Sequence, residues 1–199
     1  MPQAFNPRDR FFHKAQAQGK RARSAFKLDD ILVRFPRFVP GQAKVLDLGC
    51  APGSFLQVLQ QRQPKLLVGV DLQAIEPLAD VTFRQGDIFS DEVGEWLQEL
   101  GPFDVITSDM APKTTGVPDN DQFHSVELCE RVLDLSATIL KPGGNLLLKI
   151  FTGADFDSFW ARFKRSFRRA KTYKPEASRD RSRETFLIGE GFQPHASGE

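Results

Sequence analysis

A chain of 199 residues has the length of one domain and can bury roughly 70% of its unfolded surface with no disulfide or metal staple. Its two cysteines, Cys50 and Cys129, are far apart and form no ligand-spaced pair, and no apolar run approaches the roughly 18 residues of a membrane span, which argues against a zinc site, a disulfide framework and a transmembrane protein. The net charge of +1 hides an asymmetry, with +6 over residues 1–27, −10 over residues 28–140 and +7 over residues 141–184.

In chain order, residues 1–20 are polar, basic and weakly periodic. They read as a mobile arm, carrying Arg8, Arg10, Lys14 and Lys20, that could order on nucleic acid, with Phe11 and Phe12 pinning part of it. Residues 1–5 lack a signal-peptide h-region, so a cytoplasmic protein is expected. Ser24 looks like an N-cap for a helix whose apolar stripe is Phe26, Leu28, Ile31, Leu32 and Phe35. Pro36 stops that helix, and Pro40-Gly41 turns the chain into the run Val45-Leu46-Asp47-Leu48. This run reads as a strand buried on both faces. Gly49 and Gly53 then bracket a tight loop stiffened by Pro52, and Phe55, Val58 and Leu59 follow at helical spacing.

Strand, glycine loop, helix is the first βα turn of a doubly wound sheet, where a ligand approaches bare backbone. Further strands are expected at residues 66–70, 81–86, 103–108 and 146–151, alternating with helices at residues 91–100 and 121–140. An amphipathic helix at residues 155–168 precedes a last pair of strands at residues 170–174 and 185–189. The fold expected is a Rossmann-like, mostly parallel seven-stranded sheet. Helices cover both faces, and one antiparallel strand lies near the edge. The expected division is a basic arm over residues 1–20, one domain over residues 21–192 and a disordered tail over residues 193–199.

The chemistry collects at strand ends. Asp47, Asp71, Asp87 and Asp109 each sit at or near the end of a strand, where an open α/β sheet forms its ligand crevice. Asp71 falls 22 residues after Gly49, the spacing at which an acidic residue meets a cofactor ribose. Asp87 could accept a hydrogen bond from an adenine amino group. The loop lacks the third glycine of a dinucleotide fingerprint and the Gly-Lys-Ser/Thr of a P-loop, which argues against a pyrophosphate cradle. If the two basic segments meet in space, they form a cationic face suited to RNA, with Arg21, Arg23, Arg168 and Arg169 as expected contacts. The alternative is two solvated basic segments that never meet.

The motifs together resemble one family. These are Arg23-Ser24-Ala25-Phe26-Lys27-Leu28-Asp29, Asp47-Leu48-Gly49-Cys50-Ala51-Pro52-Gly53, Gln85-Gly86-Asp87 and Ser108-Asp109-Met110-Ala111-Pro112. They continue with Pro142-Gly143-Gly144, Leu148-Lys149-Ile150-Phe151 and Arg179-Asp180-Arg181-Ser182-Arg183-Glu184. In this order, over about residues 20–190, the set resembles the bacterial FtsJ/RrmJ (RlmE) family of heat-shock 23S rRNA ribose 2′-O-methyltransferases. The resemblance implies a catalytic tetrad at Lys27, Asp109, Lys149 and Glu184. It also implies S-adenosylmethionine (SAM) contacts at Gly49, Gly53, Phe55, Asp71, Asp87 and Asp109, with no metal. The family often carries Gly-Gly-Trp after the proline of the glycine loop, and this chain carries Gly53-Ser54-Phe55.

The substrate implied is a uridine of the A-loop, presented as ribosomal RNA within the 50S subunit to a monomeric enzyme. Asp109-Met110-Ala111-Pro112 has no aromatic to grip a target base, which favours oxygen methylation of a sugar over nitrogen methylation of a base. Whether Lys149 takes the hydroxyl proton or only steers the hydroxyl stays open at this level. Two other readings also stay open: a tRNA ribose 2′-O-methyltransferase, and a non-catalytic RNA-binding ribosome-assembly factor.

Overall fold

The computed structural model describes residues 10–112, 115–178 and 182–194. Arg8, the Arg179-Asp180-Arg181 part of the last motif and most of the expected tail lie outside the described residues. The elements run α1 (Arg10–Ala17), α2 (Ala25–Arg34), β1 (Lys44–Leu48), α3 (Ser54–Gln60), β2 (Leu66–Asp71), β3 (Thr82–Gln85) and α4 (Asp91–Leu100). They continue with β4 (Phe103–Ser108), α5 (Pro118–Ile139), β5 (Leu140–Phe151), α6 (Phe156–Arg165), β6 (Phe167–Tyr173) and β7 (Glu184–Phe192).

The seven strands form one sheet in the order β3-β2-β1-β4-β5-β7-β6. The first five are parallel, and β7 is antiparallel to both its neighbours. This is the Rossmann-like architecture that the alternation of apolar runs implies. The order reverses between β1 and β4, which places the crevice over Leu48 and Ser108 and the residues after them.

The strands read as near-continuous apolar runs because both faces are covered. On one face Leu46, Leu48, Ile106, Leu146 and Leu148 pack with Val132, Leu135 and Ile139 of α5 and Phe159 and Phe163 of α6. On the other, Val45, Val105, Leu147, Phe186 and Ile188 pack with Leu28, Ile31 and Leu32 of α2 and Leu56 and Leu59 of α3. The α2 stripe is therefore the element that holds Lys27 over the sheet.

Three local expectations change. From Arg10 on, the basic arm is helix α1, because Ala15 and Phe11 pack against Phe26 and Ala177. Ser24 precedes α2 but makes no side-chain cap; its hydroxyl bonds that of Ser54 at 2.7 Å. The turn expected at Lys141-Pro142-Gly143-Gly144 is continuous with β5, which begins at Leu140 opposite Phe103. Ser90, by contrast, caps α4 in the usual way, accepting from the Val93 N–H.

Candidate active site

Two kinds of carboxylate line the crevice. On the β1–β3 side they hold backbone. Asp71 accepts from the N–H of Ala51 at 2.8 Å through Oδ2 and from the N–H of Gln73 at 2.8 Å through Oδ1. It thereby ties the glycine loop to the chain that follows β2. Asp87 accepts from the Phe89 N–H at 2.9 Å and is exposed. Gly49 and Gly53 adopt φ of +71° and +100°, the left-handed region that favours glycine. A Cβ on Gly49 would meet Met110 Cγ at 2.1 Å, so the loop after β4 closes directly on the loop after β1.

Asp47 differs from the other three aspartates. It is 1% exposed, accepts from the Thr107 hydroxyl at 2.7 Å, and leaves Oδ2 buried without a hydrogen bond. Burial pushes its carboxyl well above the usual carboxylate range; the Thr107 bond opposes this, and the charges of Asp109 and Asp71 add to it. Burial likewise pushes up the thiols of Cys50 and Cys129, which disfavours the thiolate form.

On the β4–β5–β7 side the carboxylates meet lysines. Lys149 Nζ lies 2.9 Å from Asp109 Oδ1 and donates to the Asp109 carbonyl at 2.5 Å. Lys27 Nζ lies 2.7 Å from Glu184 Oε1. Both lysines are nearly dry, at 7% exposure for Lys27 and 9% for Lys149. Sheet register puts the two pairs together. Lys149 is directly opposite Phe186, and Glu184 is two residues from Phe186, so both side chains leave the same face of the sheet. Lys27 Nζ sits 5.9 Å from the Phe186 ring centroid on that face. Burial works against the charge of Glu184, but attraction to Lys27 and Lys149 outweighs it and holds the carboxyl below its usual range.

The structure thus brings Lys27, Asp109, Lys149 and Glu184 into one cluster, beside a loop edged by Gly49, Gly53, Asp71 and Asp87. Phe55 is the exception among the expected contacts. The residue is 2% exposed and packs in the core with α2 and α3.

The expected basic face is redistributed. The two basic segments do meet: Arg23 Nη2 donates to the Ala177 carbonyl at 2.5 Å. But Lys20 pairs with Asp29, and Arg21 bonds main-chain carbonyls. Arg168 and Arg169 lie on edge strand β6, level with Glu190 and Asn145. That is four residues below Lys149, or roughly 13 Å toward the opposite end of the sheet. Basic residues there also guard an open sheet edge against pairing. Lys174 and Arg183 are exposed at the Glu184 end, where Lys174 donates to the Ser182 carbonyl and Arg183 lies 4.0 Å from Asp119.

The doubly wound sheet, its antiparallel β7 and the crevice at the β1/β4 switch define a Rossmann-like methyltransferase fold. Residues 20–192 match the model of FtsJ-like methyltransferases, and the chain belongs to that family. It is 41% identical over 195 residues to the ribosomal RNA large subunit methyltransferase E of Myxococcus xanthus, covering 95% of this chain and 91% of that one. It is 44% identical over 187 residues to the same-named protein of Desulfatibacillum aliphaticivorans, covering 92% and 89%. Among solved structures, a protein named as a ribosomal RNA methyltransferase of Plasmodium falciparum superposes with a TM-score of 0.78 at 27% identity, covering 86% of this chain and 98% of that one. Human methyltransferase-like protein 13 in complex with SAH shares the fold, with a TM-score of 0.53 at 18% identity over 94% of this chain and 84% of that one. Among the described residues, no helix is long and apolar enough to cross a membrane, and no group of three or more His, Cys, Asp or Glu is placed to hold a metal ion.

Proposed function

We propose that this chain transfers a methyl group from SAM to a ribose 2′-hydroxyl of 23S rRNA, on a uridine of the A-loop within the 50S subunit. The observation that carries this reading is the pair of buried lysine–carboxylate contacts, Lys27–Glu184 and Lys149–Asp109, on one face beside the glycine loop. The names of the relatives support a ribosomal substrate.

The residues present fit SAM. The glycine loop turns tightly through left-handed Gly49 and Gly53, and the surrounding edge is rich in carboxylates, which suits a sulfonium cation. Gly49, Gly53, Asp71, Asp87 and Asp109 would hold it, with Asp71 on the ribose hydroxyls and Asp87 at the adenine. When bound, SAM supplies a methyl group activated by its sulfonium.

The chain's own residues do the rest. Lys149 positions the 2′-hydroxyl and is the group placed beside the proton that the hydroxyl loses on methylation. Asp109 orients Lys149 through its carboxylate and its carbonyl. Glu184 fixes Lys27, whose charge faces the same space. A ribose hydroxyl is reached across the shallow minor groove of A-form RNA or in an unstacked loop, so recognition rests on shape and phosphates.

Labelled methyl-SAM offered with 50S subunits, free 23S rRNA, 30S subunits and tRNA tests the reading. Label is expected in 23S rRNA of 50S subunits, in a nucleotide whose 3′ linkage resists alkali. Label in tRNA would select the tRNA enzyme instead. No label in any RNA, with RNA binding retained, would select a non-catalytic assembly factor.

A further inference from the structure

Arg21 looks from the sequence like one more cation of an RNA-binding arm, but its guanidinium is engaged by main-chain carbonyls. Nη1 donates to the Pro52 carbonyl at 2.9 Å and to the Glu76 carbonyl at 2.6 Å, and Nη2 donates to the Pro77 carbonyl at 3.1 Å. Pro52 belongs to the glycine loop after β1, and Glu76 and Pro77 belong to the connection between β2 and β3. These are the two segments that Asp71 ties together from the other side, through Ala51 and Gln73. The guanidinium also fills the space beside Gly53, where a Cβ would come within 2.8 Å of Nη1.

The segment around Arg21 is registered against α3 as well. Its N–H donates to Gln57 Oε1 at 2.8 Å, Gln57 Nε2 donates to the Gly19 carbonyl at 3.2 Å, and Ser24 meets Ser54. The same segment runs on into α2 and Lys27.

We propose that Arg21 is a positioning residue for the cofactor, acting through the backbone of the two loops that frame it. The inference rests on the assignment of those loops and Asp71 to SAM. The connection over residues 72–81 has no regular secondary structure to fix its shape, so its carbonyls must be held by side chains. Arginine suits this task because its planar fork directs several N–H donors at once, whereas a lysine ammonium acts as a point charge on a flexible stem. The three carbonyls are at the surface, and water can replace the guanidinium there. Loss of Arg21 should therefore loosen the loops with little effect on global stability. The cost falls on cofactor binding, which must order them again.

The test uses the full chain with Arg21→Lys and Arg21→Gln. SAM affinity is measured by calorimetry, RNA affinity by titration at two salt concentrations, and melting temperature by calorimetry. Both variants should bind SAM at least about tenfold more weakly, the order expected for losing charge-assisted hydrogen bonds. RNA affinity at saturating SAM, its salt slope and the melting temperature should stay close to wild type. Wild-type SAM affinity in either variant overturns the proposal. A reduced salt slope with normal SAM binding makes Arg21 a phosphate contact and overturns it too. Parallel loss of SAM affinity, RNA affinity and melting temperature leaves a purely structural role and also overturns it. A wild-type chain that binds no SAM sinks the reading of the loops as a cofactor site, and this inference with it.

Discussion

The two sides of the crevice use the same functional group for different ends. On the β2–β3 side, Asp71 and Asp87 face backbone N–H groups and fix the shape of loops. On the β4–β5–β7 side, Asp109 and Glu184 face ammonium groups and fix the place of Lys149 and Lys27. Between them Asp47 is buried and meets a hydroxyl. A carboxylate on backbone donors keeps lone pairs for neutral hydroxyls, as a sugar presents. A carboxylate on a buried lysine holds an ammonium group in place. The partner decides what each carboxylate does, so each side breaks in its own way.

The largest effect should come from Lys149. If Lys149 positions or deprotonates the hydroxyl as proposed, Lys149→Ala should lower kcat by about 10²–10⁴-fold while SAM binding survives. Lys149→Arg should not rescue the rate, because guanidinium does not release a proton near neutral pH. Single-turnover methylation with saturating SAM checks both. A rate within a few-fold of wild type in the Arg variant would leave Lys149 as a charge only. A normal rate in the Ala variant would remove it from the chemistry.

On the other side, Asp71→Ala should act on binding. Losing a charge-assisted hydrogen bond costs about 1.5–3 kcal/mol, or roughly ten- to a hundredfold in SAM affinity, with RNA affinity spared. Asp71→Asn separates its two tasks. The amide can still accept one backbone N–H but carries no charge, so it should recover part of the loop order and less of the affinity. Unchanged calorimetric affinity in Asp71→Ala would break the division between the two sides.

The architecture is legible in the sequence because it rests on local patterns, whereas Lys27, Asp109, Lys149 and Glu184 stand out there only through the resemblance to a family. Doubly covered strands read as apolar runs, and Asp109, Lys149 and Glu184 lie on or next to them, whereas Lys27 lies in α2. Partners across the fold are not legible. Nothing in Ser24-Ala25-Phe26-Lys27 says that the Ser24 hydroxyl prefers Ser54 to its own helix, since a capping bond and a cross-element bond ask for the same side chain. Arg21 and Arg23 read as phosphate contacts because charge is visible in sequence, whereas the main-chain carbonyls that satisfy them are not. Motif position assigns the Phe55 ring to the cofactor, while its spacing with Val58 and Leu59 already marks the buried face of α3. Helix α1 escapes a reading by pattern because it is short and its packing partner Ala177 is remote in sequence.

The redistributed charge gives a smaller effect with a clear contrast. Lys174→Ala and Arg183→Ala, at the Glu184 end, should each reduce the salt slope of RNA binding by up to about 0.7–0.9 for every phosphate no longer neutralised. Arg168→Ala with Arg169→Ala, at the far end of β6, should leave the slope unchanged. RNA titrations across a salt series check this, and the opposite pattern would move the RNA surface to the other end of the sheet.

The smallest effect concerns Asp47, where the two sides meet. Its folded carboxyl is raised well above the ordinary carboxylate range, mainly by burial, while in the unfolded chain it titrates normally. The folded state therefore binds a proton that the unfolded state releases. That contribution is fully present below the ordinary carboxylate range and is lost as pH rises through the folded pKa. Asp47→Asn removes this penalty, because the amide oxygen still accepts from Thr107 and no charge has to be buried. The variant should melt higher than wild type at neutral pH, by about 2–4 °C for each kcal/mol gained in a chain of this size. The advantage should shrink as pH falls toward the ordinary carboxylate range, where the wild-type group is protonated in both states. Melting curves at several pH values read the difference directly. A variant that melts lower than wild type at neutral pH would mean that Asp47 carries a charge the fold uses, and would place it with Asp109 rather than apart from both sides.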